Sequence, residues 1–313
     1  MAYTGEPTIT TTYAGEFAGK YISAALLSAP TIENGGVTVL PNIKYKEVLQ
    51  VVNTADLLTD ATCDFTDTAD VDLTEKILEV EDFQVNSEIC KAQFHNTWQS
   101  QEMGFSAFDE LPKSFSDYIL GYYAAKVAAK VETNLWEGVN ANPGEFDGLV
   151  TLALADATVN DVTAVAGGVD AANVIDEMGR IVDAIPTTVY GSEDLKLYVS
   201  SNMARAYIRA LGGFGAQGLG GNGTDGKGTQ WYSNGSVSFD GIPVFVANGL
   251  NDNTAMAAQT SNLYFGCSLL ADTQEVRLID MSPIDGSQNC RIIMRMSMGA
   301  QIGIGADVVL YHP

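Results

Sequence analysis

Residues 211–230 read LGGFGAQGLGGNGTDGKGTQ and hold two phosphate-binding spacings at once. Gly213, Gly215 and Gly218, with Phe214 between the first two, fit G-x-G-x-x-G. Gly221, Gly226 and Lys227 fit most of G-x-x-x-x-G-K-[ST], but Gly228 stands where a magnesium-binding hydroxyl is required. The chemistry would be phosphate capture, in which side-chain-free backbone lets N–H groups and a helix amino terminus approach the anion. That capture needs a strand before the glycines and a helix after them. Here the helix-like SNMARAYIRAL precedes them and the strand-like WYSNGSVSF follows. The segment reads as a surface loop that binds no cofactor.

Other chemistry-bearing residues are as poorly placed. Residues 64–75, DFTDTADVDLTE, put acids at the first, seventh, ninth and twelfth positions of a calcium-type loop, but Ala69 occupies the position of the obligatory glycine. The flanking runs are strand-like and not helical, so the acids read as a solvated turn. Only His95 and His312 could serve as imidazole bases, and neither has an acid or thiol partner in local sequence. No G-x-S-x-G elbow is present. Cys63, Cys90, Cys267 and Cys290 lack zinc spacing and read as reduced thiols. The reading is a non-enzymatic chain without catalytic, metal or cofactor residues.

Composition sets further bounds. Among 313 residues, 46% are hydrophobic and 18% charged, which is the balance of a folded chain. The net charge of −23 repels phosphate backbones, which argues against sequence-specific nucleic acid binding. The amino terminus MAYTGEPTITTTYAG is polar and lacks basic residues, so it reads as neither signal peptide nor membrane anchor.

The elements follow from periodicity. Residues 1–41 are Thr-rich and extended, an arm without a core. KYKEVLQVV and ILEVEDFQVN are β-rich runs around an acidic stretch, which predicts a long hairpin over 44–91 with an acidic tip. Phe115, Ile119, Tyr123, Val127, Val131 and Leu135 recur every four residues and predict a long spine helix that ends near Gly138. Helix-like AANVIDEMGRIVDAI and SNMARAYIRAL alternate with strand-like LKLYVS and GIPVFVA, an α/β lobe. EVRLIDMS and RIIMRMSMGAQIGIGADVVLY then read as a closing hairpin with a turn at Asp285-Gly286.

This order of elements, with DGIPVFVANGL, SNLYFGCSLL and the closing hairpin, resembles the Hong Kong 97 type major capsid protein of tailed phages. The resemblance spans the whole chain and rests on order, not on any catalytic motif. It implies an α+β capsid fold: an N-arm over 1–41, an extended β-hairpin loop over 42–95, a peripheral domain with the spine helix over 96–145 and 275–313, and an α/β axial domain over 146–274. It implies self-assembly as pentamers and hexamers into an icosahedral virion shell around double-stranded DNA, made in the host cytoplasm, with portal, scaffold or decoration proteins as further partners. The arm begins near Met1, so the resemblance implies a separate scaffold or none. Lys44, Lys46 and Lys76 lie in or beside the hairpin, but no marker of a crosslinking chemistry accompanies them. Intersubunit contacts are expected from Leu49, Val51, Val80, Phe83 and Val85, with tip acids meeting Arg277, Arg291 or Arg295 of a neighbour. The glycine loop, including Gly213, Gly215, Gly218, Gly221, Gly226 and Lys227, is expected at the axis of each ring. Two alternatives stay open: an encapsulin-type shell around enzyme cargo, which shares this fold, and an acidic α/β enzyme that uses the loop from Gly213 to Gly228.

Overall fold

A computed structural model of the chain describes residues 29–54, 60, 63, 71–90, 113–212, 237–267, 276–281, 284 and 286–313. The glycine loop, most of the acidic tip and His95 lie outside the described residues. In chain order the elements are α1 (Pro30–Glu33), β1 (Thr38–Leu40), β2 (Lys46–Thr54), β3 (Val71–Glu79), β4 (Glu81–Cys90), α2 (Lys113–Glu137), α3 (Leu149–Ala155), β5 (Asn160–Thr163), α4 (Val174–Asp183), β6 (Leu195–Val199), α5 (Ser201–Gly212), β7 (Ser238–Phe239), β8 (Ile242–Val246), β9 (Ala255–Gln259), β10 (Leu263–Cys267), β11 (Val276–Asp280), β12 (Asn289–Ile302) and β13 (Val309–His312). Contacts group the chain into a larger unit, Leu27–Phe83, Ala128–Thr273 and Met296–Pro313, and a smaller one, Met1–Leu26, Gln84–Val127 and Gln274–Arg295. The strands β4 and β12 and the helix α2 contribute residues to both.

The larger unit is built on a six-stranded mixed sheet in the order β5-β13-β9-β6-β8-β7. Strand β6 reads LKLYV because it is central and covered on both faces, which favours a nearly continuous apolar run. Leu195, Leu197 and Val199 meet one face's core together with Val174, Met178, Ile181 and Val182 of α4 and Met203, Ala206 and Tyr207 of α5. The α4 residues recur at helical spacing, so one stripe of that helix is buried while Ile175, Asp176 and Asp183 remain outside. Tyr198 points to the other face, where its ring lies 5.2 Å from that of Trp136 in α2.

The tail divides between two arrangements of strands, although its sequence reads as one run. Strand β12 pairs antiparallel with β10 through Leu263↔Ile302 and then stops. Gly303 and Gly305 interrupt it, and Asn262 takes over the orphaned backbone. Its carbonyl oxygen accepts from Gly303 N at 3.0 Å, and its side chain accepts from Ile304 N at 2.7 Å and donates to Ile304 O at 2.8 Å. The last strand, β13, instead joins the six-stranded sheet between β5 and β9. The residues 309–312 therefore sit with the α/β sheet and not with the closing hairpin.

In the smaller unit the predicted closing hairpin is present. Strands β11 and β12 pair antiparallel from Val276↔Met294 to Asp280↔Cys290, and Met281 N donates to Asn289 O at 3.0 Å where the connection closes. Gly286 takes a φ of 73°, which suits glycine in the expected turn. Glu88 of β4 accepts from Asn289 Nδ2 and Arg291 Nε, both at 2.7 Å.

Within the larger unit, α1 is held by a buried polar chain. Trp136 Nε1 donates to Thr31 Oγ1 at 3.0 Å, and Thr31 Oγ1 donates to Glu132 Oε1 at 2.5 Å. Thr31 N adds a bond to Glu132 Oε2 at 3.3 Å. Glu132 and Thr31 are both fully buried. The next residues are held from β6, where Tyr198 Oη donates to Gly36 O at 2.5 Å and Lys196 Nζ to Gly35 O at 2.8 Å. Burial pushes the Glu132 carboxyl above its ordinary 4.5, against the lowering effect of its hydrogen bonds.

A small second cluster sits where the β2–β3 ribbon meets the rest of the unit. Ile43, Leu78 and Val80 are buried there, with Leu40, Leu49 and Tyr264 packed around them. The approach is close enough to need glycines on the partner strands. A Cβ on Gly266 would lie 2.9 Å from Ile43 and Leu78 side-chain carbons, and one on Gly299 would lie 2.1 Å from Glu79 O.

Two outcomes are expected. Because the folded Glu132 carboxyl binds its proton more tightly than the unfolded one, its stabilisation is full below about pH 4.5 and is lost as pH rises through the folded value. Glu132→Gln should remove that loss, so that urea midpoints of variant and parent diverge in the variant's favour between acid and neutral pH. Gly299→Ala should destabilise by roughly 1–3 kcal/mol through overpacking against the Glu79 carbonyl, read from the same denaturation curves.

Candidate interaction surface

The ribbon is a sheet of its own: β2 pairs only with β3 among the described residues, in antiparallel register from Lys46↔Glu79 to Thr54↔Val71. At about 3.3 Å per residue it extends roughly 30 Å. Side chains alternate between faces, so directly opposed residues share one. On one face Leu78 is buried, Leu49 packs against the cluster at the base, and Val51 is half-buried. The other face carries the cross-strand pairs Val48↔Ile77 and Val52↔Leu73, separated by Gln50↔Glu75.

The aliphatic residues of this second face are uncovered. Val48 is 47% exposed, Ile77 48%, Val52 62% and Leu73 65%. Single exposed aliphatics are ordinary, but two opposed pairs on one face of a strand pair make an apolar stripe, interrupted by Gln50↔Glu75. The stripe is bounded at the base by Lys46 and Glu79, which form an ion pair at 2.9 Å, and by Tyr45, whose ring lies 5.0 Å from the Lys46 ammonium. A two-stranded ribbon is marginal in water alone, so its stability depends on what covers it.

Several of the expected contact residues pack within the chain itself. Val80 is buried in the basal cluster, and Leu49 packs on it, so both serve the chain's own core. Phe83 and Val85 do not belong to the ribbon: pairing with β2 ends at Glu79, and the next strand, β4, pairs with β12. Phe83 is half-buried, with its ring 6.1 Å from that of Phe146. Arg291 is ion-paired to Glu88 of its own chain at 2.7 Å. Arg295 is exposed on β12, and the backbone of Arg277 pairs with Ile293. The outward residues Val48, Val52, Leu73 and Ile77 were missed because KEVLQVV has apolar residues on both faces, and alternation cannot choose between them.

The described residues place the remaining candidates in part. Helix α5 precedes the glycine loop and β7 follows it, the order opposite to a phosphate-binding turn. Glu75, the last acid of the calcium-type spacing, is exposed within strand β3. No group of three or more His, Cys, Asp or Glu side chains is arranged to hold a metal ion among the described residues. His312 lies in β13 with Nε2 3.1 Å from Asp161 Oδ1.

No family model matches the chain, and no curated protein matches it. Solved structures do. The capsid of a native GTA particle, computed with C5 symmetry, has a TM-score of 0.63 at 14% identity, over 99% of this chain and 95% of that one. A structure from Gordonia phage Cozz has a TM-score of 0.61 at 14% identity, over 99% and 96% of the two chains. Another, from Mycobacterium phage Adephagia, has a TM-score of 0.61 at 12% identity, over 93% and 91%. At these identities the likeness concerns backbone arrangement and not individual residues. The chain therefore has the α+β fold seen in the capsid of the native GTA particle.

Proposed function

We propose that this chain is a structural major capsid protein whose copies assemble as pentamers and hexamers into an icosahedral shell enclosing double-stranded DNA. The observation that carries the reading is a capsid fold combined with a ribbon whose outward face carries uncovered aliphatic residues. Covering Val48, Val52, Leu73 and Ile77 removes about half of each side chain from water, roughly 1 kcal/mol apiece. A second copy supplies that cover in every repeat of a closed shell, and the sum over many copies offsets the entropy of association.

In this reading the ribbon is the extended loop, and the six-stranded sheet with α4 and α5 is the axial domain. The strands β11 and β12 with α2 form the peripheral domain, and residues 1–41 are the N-arm. The charge of −23 suits an inner wall that does not trap incoming DNA. The glycine loop supplies permissive backbone near the ring axis and binds no ligand. Portal, scaffold or decoration proteins complete the particle.

Electron microscopy of the purified chain should show closed shells or rings, and strict monomers at high concentration by light scattering would refute the reading. Val52→Asp with Leu73→Asp should leave the urea midpoint nearly unchanged, since both sites are solvated, yet abolish shells. Shells filled with a co-purifying enzyme instead of DNA would point to a cargo compartment. Neither ATP nor NAD should shift the melting temperature of the chain or of Lys227→Ala, because a bound ligand stabilises by mass action.

A further inference from the structure

We propose that Lys76 and Asp156 are positioning residues that set the direction of the ribbon and so hold its apolar face at the angle a neighbouring copy requires. The proposal rests on the assembly reading above and adds a determinant of its geometry. Lys76 lies on β3 opposite Leu49, on the face that turns toward the body of the unit. Its ammonium reaches Asp156 Oδ2 at 2.7 Å, just beyond the end of α3. Asp156 is itself fixed: its Oδ1 accepts from Thr158 N at 3.0 Å and from Thr158 Oγ1 at 2.6 Å. A Cβ on Gly305 would lie 2.7 Å from Asp156 Oδ2, so the carboxylate is seated against backbone with little room to turn.

The position of this pair along the ribbon gives it leverage. Nearer the base, the ribbon is held by the cluster of Ile43, Leu78 and Val80, and by Gln301 Nε2, which donates to Ile77 O at 2.7 Å. Further out, Thr74 Oγ1 donates across the ribbon to Val51 O at 3.4 Å. The pair ties the middle of the ribbon to the body of the unit, and Val52 and Leu73 lie beyond it. Small rotations at the tie become displacements of several ångströms at the tip, given about 3.3 Å of rise per residue. Lys76 and its hydrogen bond, with Thr158, hold the Asp156 carboxyl at about 2, so the tie stays charged across neutral and mildly acidic pH. A partly exposed ion pair contributes little to global stability, so its consequence is direction and not folding.

The test uses the full chain with Cys63→Ser and Cys90→Ser, leaving the buried Cys267 and Cys290 in place, and spin labels at Gln50→Cys and Leu154→Cys. Pulsed electron paramagnetic resonance reads the distance distribution, and light scattering reads the concentration at which assembly begins in the unlabelled chain. Lys76→Met and Asp156→Asn should each broaden the distribution and raise the assembly threshold about tenfold, with melting temperature nearly unchanged. The exchange Lys76→Asp with Asp156→Lys should narrow the distribution and restore the threshold. An unchanged distribution in both single variants, or a broadened one with normal assembly, overturns the proposal. Should the parent chain itself never assemble, the assembly reading fails while the distance measurement still decides whether the pair holds the ribbon.

Discussion

The structure turns on the change of partner at Val80. Up to Glu79 the chain pairs with β2 in a free-standing ribbon, and from Glu81 it pairs with β12. At that junction Val80 N donates to Tyr45 O at 3.1 Å, Val80 and Leu78 are buried, and Gly299 lets the Glu79 carbonyl approach the backbone of β12. The same few residues thus seal the base of the ribbon and dock it. Any outward-facing function of the ribbon depends on this joint, because a two-stranded sheet has no core of its own.

Around it, the larger unit arranges its polar groups to hold irregular segments in place. The buried chain Trp136, Thr31 and Glu132 secures α1, Asn262 carries the break after β12, and Asp156 accepts Lys76 from the ribbon. In each, polar side-chain groups satisfy backbone or charge beside an irregular segment, as buried polar groups require. The acidic excess is reflected in the pairing, since Lys46, Lys76, Lys130 and Arg180 each contact a carboxylate.

The proposed role and the absence of motif chemistry fit together physically. A shell subunit works through surfaces that are complementary only when repeated, so its functional residues are ordinary aliphatics whose exposure matters more than their type. Val52 and Leu73 have no chemical signature. They become conspicuous only once their partners across the ribbon and their solvent exposure are known.

The sequence by itself determined the order and type of the elements. Fourfold spacing from Phe115 to Leu135 marked α2, continuous apolar runs marked β6 and β8, and alternation from Ile292 to Met298 marked β12. These signals are local: each side chain's periodicity reports its own burial, so helices and strands and their order were legible, and with them the resemblance to a capsid subunit. Only the tertiary structure decided which strand pairs with which. Pairing is a contact between residues far apart in sequence, and the pattern of β13 or of ILEVEDFQVN contains no record of its partner. That is why the strand boundary at Val80 was invisible, why β13 was expected in the closing hairpin, and why the packing of Leu49 and Val80 in the chain's own basal cluster could not be read from their pattern. The face of the ribbon was undecidable for a simpler reason. In KEVLQVV adjacent residues of both parities are apolar, so the register with β3 and the packing of Leu78 had to choose which side faces water.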